Sequence, residues 1–319
     1  MRALACPASL KGVVSAVEAA ALLVEGLERG GAEAVALPVA DGGEGTAQVI
    51  GGDVQEARVS DPLGRPIVAQ WVVRADGTAV VDSAAALGLP LLRQDELDPL
   101  RASSAGLGEL LVAVLATSPA AVIVGVGGTA TVDGGAGLRA VLPRWPESVP
   151  LRVACDVRSP LVDAARVFAP QKGASPAQVV ELERRLTGDP ALAAYAELPG
   201  AGAGGGLGAA LASIGGELVP GSELVLDVIG FDEQASRADL VVTGEGTVDE
   251  TTFAGKAPGA VLVRCERLGV RCVLFGGRVA AGEARSLSGD PARAREDLVA
   301  LGFELAGLGG RPGVDGRLA

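Results

Sequence analysis

The chain has no histidine and no asparagine, only three lysines among its 27 basic residues, and just 3% aromatic residues. Without histidine, Ser-His-Asp and Cys-His catalysis are excluded, as are His-ligated zinc and iron sites. The four cysteines, Cys6, Cys155, Cys265 and Cys272, show no C-x-x-C spacing. They read as small buried hydrophobes in a reducing compartment, not as a metal or disulfide framework. A membrane-length apolar helix is also missing. The uncharged stretch 110–128 is broken by Ser118-Pro119 and ends in glycines, so it reads as helix, turn and buried strand. Pro7 interrupts the first apolar segment after Arg2, and no signal-peptide core follows, which makes the cytoplasm the expected location.

What remains is a globular composition. With 319 residues the chain is about twice the commonest domain size, so two units are expected. Hydrophobic residues make up 49%, and Gly numbers 47 against 19 Pro. A core built from Ala, Val and Leu, with much of the backbone in turns and glycine loops, suits α/β architecture. The net charge of −12 and pI near 4.6 repel nucleic acid and anionic membranes, so neither is an expected partner.

The order of elements supports this class. Ala3–Cys6 is a short apolar run, Ser15-Ala16-Val17-Glu18 reads as a capping box ahead of helical spacing that ends at Gly30-Gly31, and 33–39 is the next strand. Strand, helix and strand with short loops imply a parallel pair. Segments 54–60, 67–73 and 79–82 then alternate around turns at Asp61-Pro62-Leu63-Gly64 and Asp76-Gly77, which reads as an antiparallel meander. Helix 106–116 and strand 121–126 restore α/β alternation, and a second such run covers strand 239–243, helix 258–268 and strand 272–275. The expected organisation is a discontinuous Rossmann-like parallel-sheet domain, residues 1–55 plus 235–319, with a mixed α/β domain inserted at 56–234. No oligomeric state follows from the sequence, and a homodimer is left open.

Each of the three lysines, Lys11, Lys172 and Lys256, adjoins a glycine. An ammonium reaches between phosphate oxygens where a planar guanidinium fits poorly, and an adjacent glycine lets backbone N–H groups approach the same anion. Carboxylates recur in similar settings: Asp41-Gly42-Gly43-Glu44-Gly45-Thr46, the run from Gly127-Gly128 to Asp133-Gly134, Asp156 after 152–155, and Gly244-Glu245-Gly246-Thr247-Val248-Asp249. Placed as loops after strands, these segments are expected to converge on one cleft at the carboxyl edge of a sheet. Acids, lysines and glycines there suit Mg²⁺-assisted phosphoryl transfer. Two familiar nucleotide motifs fail. No G-x-x-x-x-G-K-[ST] is present, and the G-x-G-x-x-G match at Gly200 follows an Ala-rich segment that makes a poor strand. An oxidoreductase built on the Gly200 region is the different-chemistry alternative.

The ordered series from Ser9-Leu10-Lys11-Gly12 through the loops above, Phe168-Ala169-Pro170-Gln171-Lys172-Gly173 and Gly255-Lys256 resembles the bacterial glycerate kinase family, type I, over about residues 3 to 277. The resemblance implies two α/β domains with the active-site cleft between them. It also implies Mg²⁺-dependent transfer from ATP to D-glycerate, at the 2-hydroxyl. Lys11, Asp133, Asp156 and Asp249 become catalytic candidates, with Asp133 and Asp249 as metal ligands. Lys172, Lys256, Asp41, Gly42, Gly43, Gly127, Gly128 and Glu245 become substrate- or phosphate-binding candidates. The family usually carries Asp where this chain has Ala8, Asn where it has Val132 and Arg where it has Thr247. These departures keep open a weakened or altered small hydroxy-acid kinase, or a regulatory binding protein on the same fold.

Overall fold

A computed structural model of the chain describes residues 1–155 and 157–307. It divides into two compact units: Met1–Ala40 together with the chain from Leu226 onward, and Asp41–Val225.

The first unit opens with strand β1 (Arg2–Pro7), a helix (Ala16–Arg29) and strand β2 (Glu33–Ala36). Ser15 caps that helix by accepting from the Glu18 amide at 3.2 Å, while the Glu18 carboxylate pairs with Arg295 and leaves the capping box half made. β1 and β2 are parallel, and the pairing continues past the strand end through Leu37 N–H to the Ala5 carbonyl and Val39 N–H to the Pro7 carbonyl.

The second unit holds β3 (Asp53–Ser60), β4 (Pro66–Val73), β5 (Thr78–Asp82), β6 (Ala121–Gly125), β7 (Leu151–Cys155) and β8 (Glu217–Pro220), ordered in space as in sequence. β3, β4 and β5 form the antiparallel meander, with Gly64 N–H bonded to the Asp61 carbonyl and Gly77 N–H to that of Arg74 at its two turns. β5 to β8 are parallel. Leu107, Leu110, Leu111 and Val114 of helix Ala105–Ala116 pack on Val81, Val122 and Val124 and bury the apolar face of the sheet. Asp82, Gly125, Cys155 and Pro220 therefore all lie at one carboxyl edge.

The chain returns to the first unit with β9 (Leu240–Val248), β10 (Cys272–Val279) and β11 (Arg285–Ser286), giving an all-parallel sheet ordered β11-β10-β9-β1-β2. Helices Ala16–Arg29 and Ala294–Gly307 contribute to one core cluster, and helix Ala257–Leu268 contributes to another with Phe231.

One expectation is corrected here. Gly244–Val248 is the second half of β9, not a loop, and the strand expected at 272–275 runs on to Val279 as β10, which places Arg278 within it. The two strands approach where both carry glycine: a Cβ on Gly244 would lie 2.2 Å from the Phe275 carbonyl oxygen, and one on Gly277 would lie 2.8 Å from that of Gly246. Glycines that read locally as loop are here the condition for close strand pairing.

Candidate active site

In the first unit, the site residues gather at the carboxyl ends of β1 and β9. Lys11 is exposed in a tight turn closed by Leu10 and Val14, whose N–H groups each bond to the other's carbonyl. Gly246 lies against the Leu10–Lys11 backbone. Past the end of β9, Asp249 caps the short helix Glu250–Phe253, accepting from the Thr251 amide at 2.9 Å. Asp249 N–H donates to the Thr252 hydroxyl oxygen, and the Thr252 hydroxyl donates to Glu245 Oε1 at 2.6 Å. The Lys256 ammonium stands 3.5 Å from Glu245 Oε2 and 3.7 Å from Asp249 Oδ1. Burial pushes the Glu245 carboxyl up, while the Thr251 hydroxyl holds Asp249 below its ordinary value. The result is an anchored lysine between two carboxylates in different electrostatic settings. Thr252, which ties the pair together, carried no sequence signal beyond a hydroxyl three residues past an Asp.

In the second unit, the segment Asp41–Glu44 runs across the carboxyl edge of the parallel strands. A Cβ on Gly42 would lie 2.7 Å from the Gly221 Cα, one on Gly125 would lie 2.9 Å from the Gly42 carbonyl oxygen, and one on Gly127 would lie 2.8 Å from the Gly43 Cα. At Gly128, where φ is +68°, the same atom would meet the Glu44 carboxylate at 2.8 Å. Asp41, Gly42, Gly43, Gly127 and Gly128 are thus brought together because only glycine tolerates this spacing. Asp82, which the sequence reading did not single out, holds this segment from the end of β5. Its carboxylate accepts from Gly45 N–H at 2.9 Å and Ala47 N–H at 3.1 Å. Burial pushes its pKa up to about 6, against the pull of those amides and with a push from Glu44. The only local hint was an acid closing an alternating strand.

Two candidates have other partners. Asp133 accepts from the amide and hydroxyl of Ser104 at 2.9 and 2.8 Å and from the amides of Gly135 and Gly137 at 3.1 Å each. Both its oxygens are thereby engaged at the starts of helices Ala105–Ala116 and Ala136–Val141. Lys172 is 2% exposed, and its ammonium donates to the Thr129 hydroxyl and the Thr131 carbonyl. Asp156 lies outside the described residues. Among the described residues, no group of three or more His, Cys, Asp or Glu side chains could hold a metal ion.

Two α/β units carry acidic and glycine-rich segments at the carboxyl edges of parallel strands, where proteins of the α/β class bind their ligands. The Glycerate kinase family model matches residues 3–143 and 139–294, so the chain is an enzyme of that family. It is 38% identical to the glycerate 2-kinase of Escherichia coli (strain K12), covering 81% of this chain and 80% of that protein. It is 36% identical to a glycerate kinase of Halalkalibacterium halodurans, covering 86% and 85% respectively. A crystal structure from Salmonella typhimurium LT2, assigned as glycerate kinase 2, superposes with a TM-score of 0.83 at 30% identity, over 97% of this chain and 98% of that one. No helix among the described residues is long and apolar enough to cross a membrane.

Proposed function

We propose that the protein transfers the terminal phosphoryl of ATP to the 2-hydroxyl of D-glycerate. The observation that carries this reading is the Lys256 ammonium poised between Glu245 and Asp249 at the carboxyl end of β9, on a chain 38% identical to a glycerate 2-kinase. Phosphoryl transfer demands little covalent chemistry from a protein. It demands fixed positive charge and positioning. Lys256, fixed by two carboxylates, and the exposed Lys11, which has no ion-pair partner among the described residues, supply the charge toward the nucleotide phosphates.

Mg²⁺ typically keeps several waters and takes one or two protein carboxylates along with substrate phosphates. Glu245 and Asp249 fit that demand better than Asp133, whose oxygens already accept four hydrogen bonds. When bound, the ion would neutralise charge on the phosphates. We assign Asp41, Gly42, Gly43, Gly127 and Gly128 to glycerate binding; Asp156, which the resemblance makes a catalytic candidate, lies outside the described residues. Four free cysteines suit the cytoplasm.

A coupled ADP-release assay tests the reading. Turnover with D-glycerate that is abolished by omitting ATP supports it, and the absence of turnover at any D-glycerate concentration contradicts it.

A further inference from the structure

Lys172 is a lysine only 2% exposed to solvent, and the partners of its side-chain nitrogen are all in one loop. The segment 126–135 joins β6 to the helix Ala136–Val141 and begins with Gly127 and Gly128, packed against Gly43 and Glu44. Backbone bonds fasten it at Gly128, Ala130 and Gly134, to Leu89, Leu87 and Gly205 respectively. Between these points the chain turns its Thr131 carbonyl inward, and that oxygen receives the Lys172 ammonium at 2.7 Å. The Thr129 hydroxyl oxygen accepts a second N–H at 3.1 Å and donates its own O–H to the Gly204 carbonyl at 3.3 Å. Asp133, the charged group facing Lys172, fixes the far end of the same loop through Ser104, Gly135 and Gly137. A buried ammonium is costly unless its environment is arranged for it. Here the arrangement serves the loop.

We propose that Lys172 is a positioning residue: it grips the Thr129 hydroxyl and the Thr131 carbonyl from inside the second unit and thereby sets Gly127 and Gly128 against Gly43 and Glu44. It does not touch the substrate or the phosphates. This assignment rests on the glycerate kinase reading for its effect on turnover, but the grip itself is independent of that reading. Burial brings the Lys172 pKa down to about 7, against the opposing pull of the Asp133 carboxylate.

The test compares Lys172→Met, Thr129→Val and the double variant with the wild type, by steady-state kinetics and by amide hydrogen exchange. A positioning lysine predicts that Lys172→Met lowers kcat by about a hundredfold, the loss that a displacement of roughly 1 Å can produce, while KM for D-glycerate and for ATP moves by less than about threefold. Thr129→Val, which removes one acceptor, should lower kcat by about twofold to tenfold. The double variant should be no worse than Lys172→Met, because both remove the same grip. Exchange across residues 127–135 should accelerate in each variant, with helix Ala16–Arg29 unchanged.

A rise in either KM with kcat preserved would make Lys172 a ligand-binding residue and overturn the proposal. So would multiplicative losses in the double variant or unchanged exchange in the loop. If Lys172→Met does not fold, Thr129→Val carries the same comparison alone. If the wild type does not phosphorylate glycerate, the functional reading fails while the exchange measurement still decides whether Lys172 holds the loop.

Discussion

Thr247 and Arg278 are register partners on adjacent parallel strands, β9 and β10, and both are exposed. The resemblance implies an Arg at the position of Thr247, and a guanidinium is present one strand away, on Arg278. An Arg that neutralises charge on a transferred phosphoryl is worth orders of magnitude in turnover. We expect Arg278→Ala to lower kcat by about a hundredfold or more, in line with the loss of one charge-stabilising donor. Adding Thr247→Arg to that variant should restore part of it. Unchanged kcat and KM in Arg278→Ala would show that Thr247 marks a weakened or altered enzyme.

Lys256 answers to geometry as well as charge. Lys256→Arg preserves the cation but replaces a compact ammonium with a planar fork, which cannot sit between Glu245 Oε2 and Asp249 Oδ1 in the same way. We expect kcat/KM for ATP to fall by at least about tenfold, the equivalent of ~1.4 kcal/mol of transition-state stabilisation. Wild-type kinetics in this variant, measured by ADP release, would remove Lys256 from the phosphate site.

Asp82 gives a pH dependence with a defined sign. Its folded pKa, about 6, lies above its ordinary 3.8. Its contribution to stability is therefore fully present below about pH 4 and is lost as pH rises through 6. Activity should run the other way, because protonation takes one carboxylate lone pair from the Gly45 and Ala47 amides that shape the 41–47 segment. The wild type should lose kcat/KM as pH falls through 6, and Asp82→Asn should be slow with that limb flattened. A limb near 6 that persists in Asp82→Asn would belong to another group.

Lys172 has the complementary signature in stability. Its pKa falls from 10.5 to about 7 on folding, so between those values the unfolded chain binds more protons than the folded one. Its contribution is present in full above about 10.5 and is lost as pH drops to 7. The denaturant midpoint of the wild type should rise relative to Lys172→Met as pH is raised from 7 to 10. A difference that is constant with pH would contradict the enclosed, titrating amine.

The parts of the fold that local pattern determines were legible in the sequence. Ser15 marks the first helix, and Asp61-Pro62-Leu63-Gly64 turns the chain as its residue types demand. What the local sequence does not show depends on partners far away in the chain. Gly244 and Gly246 read as loop because nothing near them shows that Gly276 and Gly277 run alongside. Lys172 read as an anion binder because Gln171-Lys172-Gly173 contains no sign of the Thr131 carbonyl, and charged side chains are usually solvated. Asp133 read as a metal ligand, yet its spacing to Gly135 and Gly137 also suits a carboxylate that caps a helix.

Metal dependence follows from the small number of carboxylates at the site. A hydrated ion shared between the nucleotide and one or two acids should leave readily, so excess EDTA should abolish turnover and added Mg²⁺ should restore it. Full turnover in EDTA would exclude the Glu245 and Asp249 assignment.

The central claim is tested most directly by phosphorus NMR of the product formed from D-glycerate and ATP. We predict a single new phosphomonoester resonance coupled to the C2 proton, as for 2-phosphoglycerate. A resonance coupled to the C3 methylene, or loss of the ATP γ-signal to inorganic phosphate alone, would contradict it.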